Sequence, residues 1–390
     1  MSGTVPQLRF PEFQGSWKAG HAGDAFAKST AKGSAGLPVY SVTMDRGLVR
    51  RDSMERHMAD DAADGSNLRA EPNDIVYNTM RMWQGAAGVA DTACMVSPAY
   101  VVLRPKQGTV SAFFIQRFGN SKMLHSLWAY SHGLTSDRLR LYFDDFAQIP
   151  VRLPSSAEQH KIADFLGTAD AKLDALRRKK SGLEAFKSGL MQRLFSQELR
   201  FTRDDGTEFP EWDQVSFAEI AERSSDKLDP RNVHEGMPVI DLENIESGTG
   251  WIIHAGQSDE SASLKSVFRT GEVLFGKLRP YLRKFAQPDF EGCCSSEIWV
   301  LRGKRVSNDF LFHLIQSSRF MELATISSGS KMPRADWSII SSAEFDVPHP
   351  DEQRKIADAL SAMDAKIAAV ANQITHMETF KKGLLQQMFV

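Results

Sequence analysis

The chain has 390 residues, enough for two or three domains with cores of their own. With 42% hydrophobic and 25% charged residues and a mean hydropathy of −0.32, it has the composition of a soluble globular protein, and no run approaches the roughly 18 apolar residues of a membrane span. A net charge of −2 lacks the basic excess that announces many nucleic-acid binders, so any such surface must be local.

In chain order, MSGTVPQLRF at the start lacks the basic-then-apolar layout of a signal peptide. Short β-branched or aromatic runs bounded by Gly, Pro and Asn predict strands at 37–43, 74–82 and 99–105, followed by one helical stretch near 111–131. A long helix is predicted over 157–195. Strands return at 237–245, 272–280 and 297–303, then one helical stretch near 307–327, then a second long helix over 351–389. The boundaries are a first globular domain over 1–154, a central helix over 155–198, a second domain over 199–349 and a C-terminal helix over 350–390. The fold class is mixed α/β (α+β). Cys94 and the adjacent Cys293 and Cys294 have no C-x-x-C spacing; they read as buried thiols in a reducing cytoplasm, not as a disulfide framework or a zinc site.

The two long helices are copies. Ala157–Phe195 aligns with Asp351–Phe389 without a gap, at a shift of 194, and about 18 of 39 positions are identical. Both contain E-Q-x-K-I-A-D, then D-A-K, and close with E-x-F-K-x-G-L-x-Q-x-x-F. Apolar residues recur four and three apart: Ile162, Leu166, Leu173 and Leu176 in the first copy, Ile356, Leu360, Ile367 and Val370 in the second. Such a seam is what two packed helices require, or a partner helix laid along them. Lys180, Lys187 and Lys381 fall in the seam and are expected to snorkel. Ser or Asp at each entrance is available as an N-cap. The globular parts echo more faintly, as in LRFPEFQGSW (8–17) against FPEWDQVSF (209–217). One arm, used twice, holds two different heads. A rigid scaffold would need the same helices but would not explain why the heads diverge so much more than the helices.

Catalytic signatures are missing. There is no G-x-x-x-x-G-K-[ST] loop and no H-E-x-x-H, since HEGMP (234–238) lacks the second histidine. SPAY (97–100) lacks the acidic or amide residue and second proline of an amino-methyltransferase motif. The chain does not read as an enzyme. Basic and amide clusters do occur, at matching places in the two heads. The first offers Asn78, Arg81 and Gln84, with Thr135, Ser136, Arg138 and Arg140 further on. The second offers Lys277, Arg279, Arg283 and Lys284, with Lys331 and Arg334. Such side chains read guanine or adenine edges or hold phosphates. Trp83 and Trp337 read as packing residues, and RRKK (177–180) as a solvated or partner-facing stripe.

The duplicated E-Q-x-K-I-A-D helices, the F-P-E-[FW] entries, DIVYNTMRMWQG, GKLRPYLRK and MPRADW together resemble the specificity subunit of type I restriction–modification systems, over essentially the whole chain. The resemblance implies two target-recognition domains separated by two long helices packed antiparallel, in a pseudo-twofold repeat. Each domain would read one half of an asymmetric bipartite site in double-stranded DNA. The helices would set the unread gap and dock two copies of the methyltransferase subunit, and motor–nuclease subunits would join for cleavage. S-adenosylmethionine, ATP and Mg would be bound by those partners, and this chain would carry no cofactor, metal or catalytic residue. A coiled-coil adaptor without sequence-specific DNA binding is the competing reading.

Overall fold

A computed structural model describes residues 5–54, 65–135, 138–229, 237–257, 264–326 and 332–390. Ser136 and Lys331 lie outside the described residues. The chain divides into two units, Met1–Arg178 with Asn372–Val390, and Lys179–Ala371. The long helices run Ser156–Phe195 and Pro350–Met388. Each unit therefore contains one head, the N-terminal part of the helix that follows it and the C-terminal part of the other helix.

In the first unit a four-stranded antiparallel sheet has the spatial order Phe26–Ser29, Tyr100–Pro105, Ile75–Asn78, Ala87–Val89. The run Ile-Val-Tyr at 75–77 is apolar at every position because both faces of this strand are covered. Ile75 and Tyr77 join the core shared with the helices, while Val76 points into a smaller cluster with Tyr40, Cys94 and Val96. That cluster belongs to a second sheet, ordered Gly47–Arg50, Val39–Thr43, Cys94–Val96, Leu68–Ala70.

The second unit repeats the plan. Its main sheet is ordered Ala221–Arg223, Ile298–Gly303, Val273–Gly276, Phe285–Ala286. Val273 and Phe275 face the helices and Leu274 faces the other cluster. All three cysteines are free and buried, and burial pushes the Cys94 thiol up to about 11.

The expected strand at 74–82 is shorter, Ile75–Asn78: after Asn78 the chain turns, and a 3-10 segment follows at Met82–Gln84. The single helical stretches are also corrected. Near 111–131 there are two helices, Ser111–Phe118 and Ser121–Ala129, because the Asn120 side chain accepts from the amides of Lys122 and Met123 and starts a new helix. In the second unit Ser317 does the same between Asn308–Leu314 and Ser318–Thr325.

Within each unit the long-helix segments pack antiparallel. Ile162, Ala163 and Leu166 share the first core with Leu384, Met388 and Phe389; Ile356, Ala357 and Leu360 share the second with Met191 and Leu194. Leu173, Leu176, Ile367 and Val370 are likewise buried. Ser155 caps the first helix through its hydroxyl, which accepts the Glu158 amide. The second helix begins differently: Pro350 takes the first helical position, and His349, not Asp351, accepts an amide there, from Asp351.

The snorkelling expected of the seam lysines fails at Lys187. Its Nζ is buried and donates to Asp364 at 2.6 and 2.8 Å and to Gln316 at 3.2 Å. In the other unit Lys381 pairs with Asp170, which also accepts from Gln116 at 2.6 Å. Asp170 and Asp364 are the aspartates of the two D-A-K triplets, and both lysines come from the F-K-x-G motifs. Burial outweighs the lysine at Asp364, whose carboxyl is held above its ordinary range. Buried ion pairs of this kind add little net stability, but a register slip would strand two charges.

His313 sits fully buried against the second helix, with Nε2 3.0 Å from Ser361 Oγ. Burial, with a smaller contribution from Lys187, pulls its pKa down to about 3. The folded chain thus refuses a proton that the unfolded chain accepts below about pH 6.5. Stability is complete above that pH and is lost as pH falls toward 3. Urea unfolding at pH 7 and pH 5 should differ by about 2 kcal/mol from this residue, and His313→Gln should remove that difference.

Candidate nucleic-acid interface

The head of each unit is fastened to its helix by the same four side chains. Glu158, buried at the first helix entrance, accepts from Arg9 Nε at 2.7 Å and Nη2 at 2.8 Å, and from Trp17 Nε1 at 3.1 Å. Glu352 accepts from Arg200 Nε at 3.2 Å and Nη2 at 2.9 Å, and from Trp212 Nε1 at 3.1 Å. The carboxylate hydrogen bonds hold both arginines above their ordinary pKa. The next residue secures the loops. Gln159 donates to the Gly108 and Pro154 carbonyls and accepts from the Val110 amide, and Gln353 donates to the Pro348 carbonyl at 2.9 Å. The repeated E-Q is therefore an internal clasp, and folding alone requires it.

Each clasp carries a head whose two basic segments are brought together. In the first unit the Leu141 amide donates to the Thr79 carbonyl at 3.0 Å, and Arg140 lies 3.9 Å from Met80 Sδ. The segments with Asn78, Arg81, Gln84, Thr135 and Arg138 thus form one surface. In the second unit the Ala335 amide donates to the Lys277 carbonyl at 2.8 Å and the Arg279 amide to the Pro333 carbonyl at 2.7 Å. Lys277, Arg279 and Arg334 thus share a surface made in the same way.

The individual side chains differ in readiness. Arg81 is exposed and its guanidinium donates to Gln84 at 3.3 Å, while Asn78 closes a local turn by accepting the Met80 amide. Thr135, Arg138 and Arg279 are exposed, and neither Arg138 nor Arg279 has an ion pair among the described residues. Arg334 is held by Glu297, at 3.0 and 3.3 Å. Arg283 is turned inward: it donates to the Gln316 carbonyl at 3.0 Å, lies over the Phe285 ring, and burial lowers its pKa. Lys284 is likewise committed, to the Ile245 carbonyl. These two do not stand with the exposed cations, because αL backbone at Arg283 (φ 51°) turns the chain back into the domain.

Sequence reasoning overlooked the apolar companions of these cations. Met80, Leu134, Tyr281 and Met332 are exposed on the same segments. Exposed apolar groups beside cations suit a base edge that carries a methyl group. It also missed Phe186 and Phe380, the aromatic residues of the two E-x-F-K motifs, which are 61% and 55% exposed although identical in the repeat. By contrast, Ile162, Leu166, Leu173, Leu176, Ile356, Leu360, Ile367 and Val370 are buried within the chain, so a partner would meet other faces of the helices. Among the described residues no cluster of His, Cys, Asp or Glu is arranged to hold a metal, and no helix is long and apolar enough to cross a membrane.

Two heads on two clasped helices define a duplicated DNA-specificity module, and the chain belongs to that family: residues 18–185 and 211–378 each match the type I restriction modification DNA specificity domain. It is 24% identical over 278 residues to the EcoDI specificity subunit of Escherichia coli, covering 63% of this chain and 61% of that protein. It is 22% identical over 259 residues to the MjaVIII specificity subunit of Methanocaldococcus jannaschii, again covering 61% of the relative. The chain thus spans about three fifths of the length of these relatives. The fold is similar to the crystal structure of the type I restriction–modification S subunit from M. genitalium, with a TM-score of 0.58, 13% identity and 99% of each chain covered. It is also similar to a chain from a study of assembly and conformational transition in the type I system, with a TM-score of 0.56, 15% identity and 96% and 97% covered.

Proposed function

We propose that this chain is the DNA-recognition subunit of a type I restriction–modification complex, itself non-catalytic and working in the cytoplasm. Each head reads one half of an asymmetric bipartite site in double-stranded DNA, and the helices set the unread gap. The observation that carries this reading is the duplication itself, in which like clasped helices hold unlike heads, each with its two basic segments bridged by the same backbone hydrogen bond. Bases are read from the exposed segments with Arg81, Gln84 and Arg138 in the first head and Arg279 in the second. Phosphate contacts fix register without reading sequence.

Two copies of a methyltransferase subunit dock on the helices, and motor–nuclease subunits complete the restricting form; S-adenosylmethionine, ATP and Mg belong to those partners. Phe186 and Phe380 are the docking residues the repeat supports best. Each is large, apolar, exposed and kept in both copies, whereas the kept E-Q residues have an internal reason to be alike. The test is retention of DNA by the chain assembled with its methyltransferase. Sequence-specific, salt-dependent retention supports the reading; salt-independent or absent retention favours an adaptor without DNA recognition.

A further inference from the structure

A second echo lies inside the divergent heads. K-S-T-A-K (28–32) leaves the strand Phe26–Ser29, and R-S-S-D-K (223–227) leaves the strand Ala221–Arg223. Their ladders coincide. Lys28 pairs with Leu103 and Arg223 with Leu301, each on the strand next to it in the main sheet. Four residues on, Lys32 bridges Leu68 and Lys227 pairs with Ser266, each on a strand of the other sheet. The pattern (Lys/Arg)-Ser-(Ser/Thr)-x-Lys thus crosses from one sheet to the other at one place in both heads.

In the second head this crossing lines a cavity of about 340 Å³, whose polar groups include Arg223, Lys227, Lys277, Ser224, Ser225 and Ser266. Among the described residues no carboxylate lines it. Lys227 Nζ is steered by Ser266 Oγ at 2.7 Å, and the Arg223 guanidinium lies over the Trp299 and Trp337 rings, 5.9 and 5.3 Å from their centroids. None of the three cations has an ion pair among the described residues, whereas Arg302, Arg305 and Arg334 in the same unit each have a carboxylate. Three like charges beside serine hydroxyls, with no acid paired to them among the described residues, form a receptor for an oxyanion.

We propose that this crossing is a clamp for a backbone phosphate of DNA in each head. The assignment rests on the DNA-recognition reading and deepens it. It accounts for a motif shared by heads whose readers differ: base edges change from one half-site to the other, but the phosphodiester chain does not.

The experiment uses the full chain assembled with its methyltransferase and measures DNA affinity against salt for the wild type, Lys32→Gln, Lys227→Gln and the double variant. Both lysines are exposed and outside the cores, and Lys227→Arg serves as the charge-preserving control. Each Gln variant should reduce the slope of log K against log salt by about 0.9, so that its loss between 50 and 200 mM salt is smaller than the wild type's by about 3.5-fold; the double variant should show twice the slope change. The effect should be equal on cognate and scrambled DNA, and Lys227→Arg should restore it. An unchanged slope in variants of a complex that still recognises its site overturns the clamp and leaves the recognition reading intact. A slope loss confined to cognate DNA makes these lysines base readers and also overturns it. If inorganic phosphate at matched ionic strength binds the wild type while Lys227→Gln leaves DNA binding unchanged, the cavity serves a free anion and the clamp is wrong. A wild-type complex that retains no DNA overturns both readings.

Discussion

Glu352→Ala should destabilise the chain by about 3–5 kcal/mol, the largest effect expected of any single substitution on its surface or in its clasps. The carboxylate is wholly buried and is the common acceptor for Arg200 and the Trp212 indole. Its removal leaves a guanidinium, only 22% exposed, without its counter-charge, and an indole N–H without an acceptor. Glu352→Gln keeps the shape and one acceptor and should cost less, about 2 kcal/mol. Glu158→Ala should behave in the same way through Arg9 and Trp17. Denaturant unfolding of the full chain checks this, with Arg200→Ala/Glu352→Ala as the double variant. If the clasp is a unit, the double loss will be well below the sum of the singles. Additive losses would show that Arg200 and Glu352 act independently.

The second large effect is on binding, and it separates stability from function at one residue. Arg279 has αL backbone (φ 50°) although it is not a glycine, on an exposed turn beside the segment with Arg334. Such a conformation costs a residue with a Cβ about 1–2 kcal/mol. Arg279→Gly should therefore raise stability by up to about 1 kcal/mol, once the greater freedom of glycine in the unfolded chain is set against the relieved strain. If the guanidinium reads a base, the same change should weaken DNA binding by about 1–3 kcal/mol and relax preference at one position of the second half-site only. Arg81→Ala should do the same to the first half-site and leave the second untouched. A uniform loss over all sequences, with a shallower salt slope, would instead make these residues phosphate contacts.

The long helices were legible because their signal is local and doubled: the seam of Ile162, Leu166 and Leu173 repeats in Ile356, Leu360 and Ile367, and all six side chains are buried as the spacing requires. The two central strands of each main sheet were legible as apolar runs, since Val76 and Leu274 are buried on the second face as well, whereas the short edge strands such as Phe26–Ser29 and Ala221–Arg223 were not. What the sequence hid was decided by partners far along the chain. Glu158 meets Arg9 across 149 positions and Glu352 meets Arg200 across 152, so no window around E-Q could show a clasp. Lys187 looked like an amphipathic seam residue because Asp364, its counter-charge, stands 177 positions away. Asn120 and Ser317 broke helices that periodicity joined, since a single capping side chain outweighs a continuing apolar pattern. Among the candidate readers, sequence placed Arg283 with Arg279. The backbone turn that aims one outward and the other at the Gln316 carbonyl had no local signature.

The central claim is that this chain chooses where a partner methylates DNA. Sequencing native DNA from the host with and without the gene, while the methyltransferase is expressed, tests it most directly. Loss on deletion of one methylated-adenine motif, made of two unlike halves and a fixed unread gap, is the predicted result. A methylation map unchanged by deletion would contradict the claim and leave two clasped heads with no DNA to read.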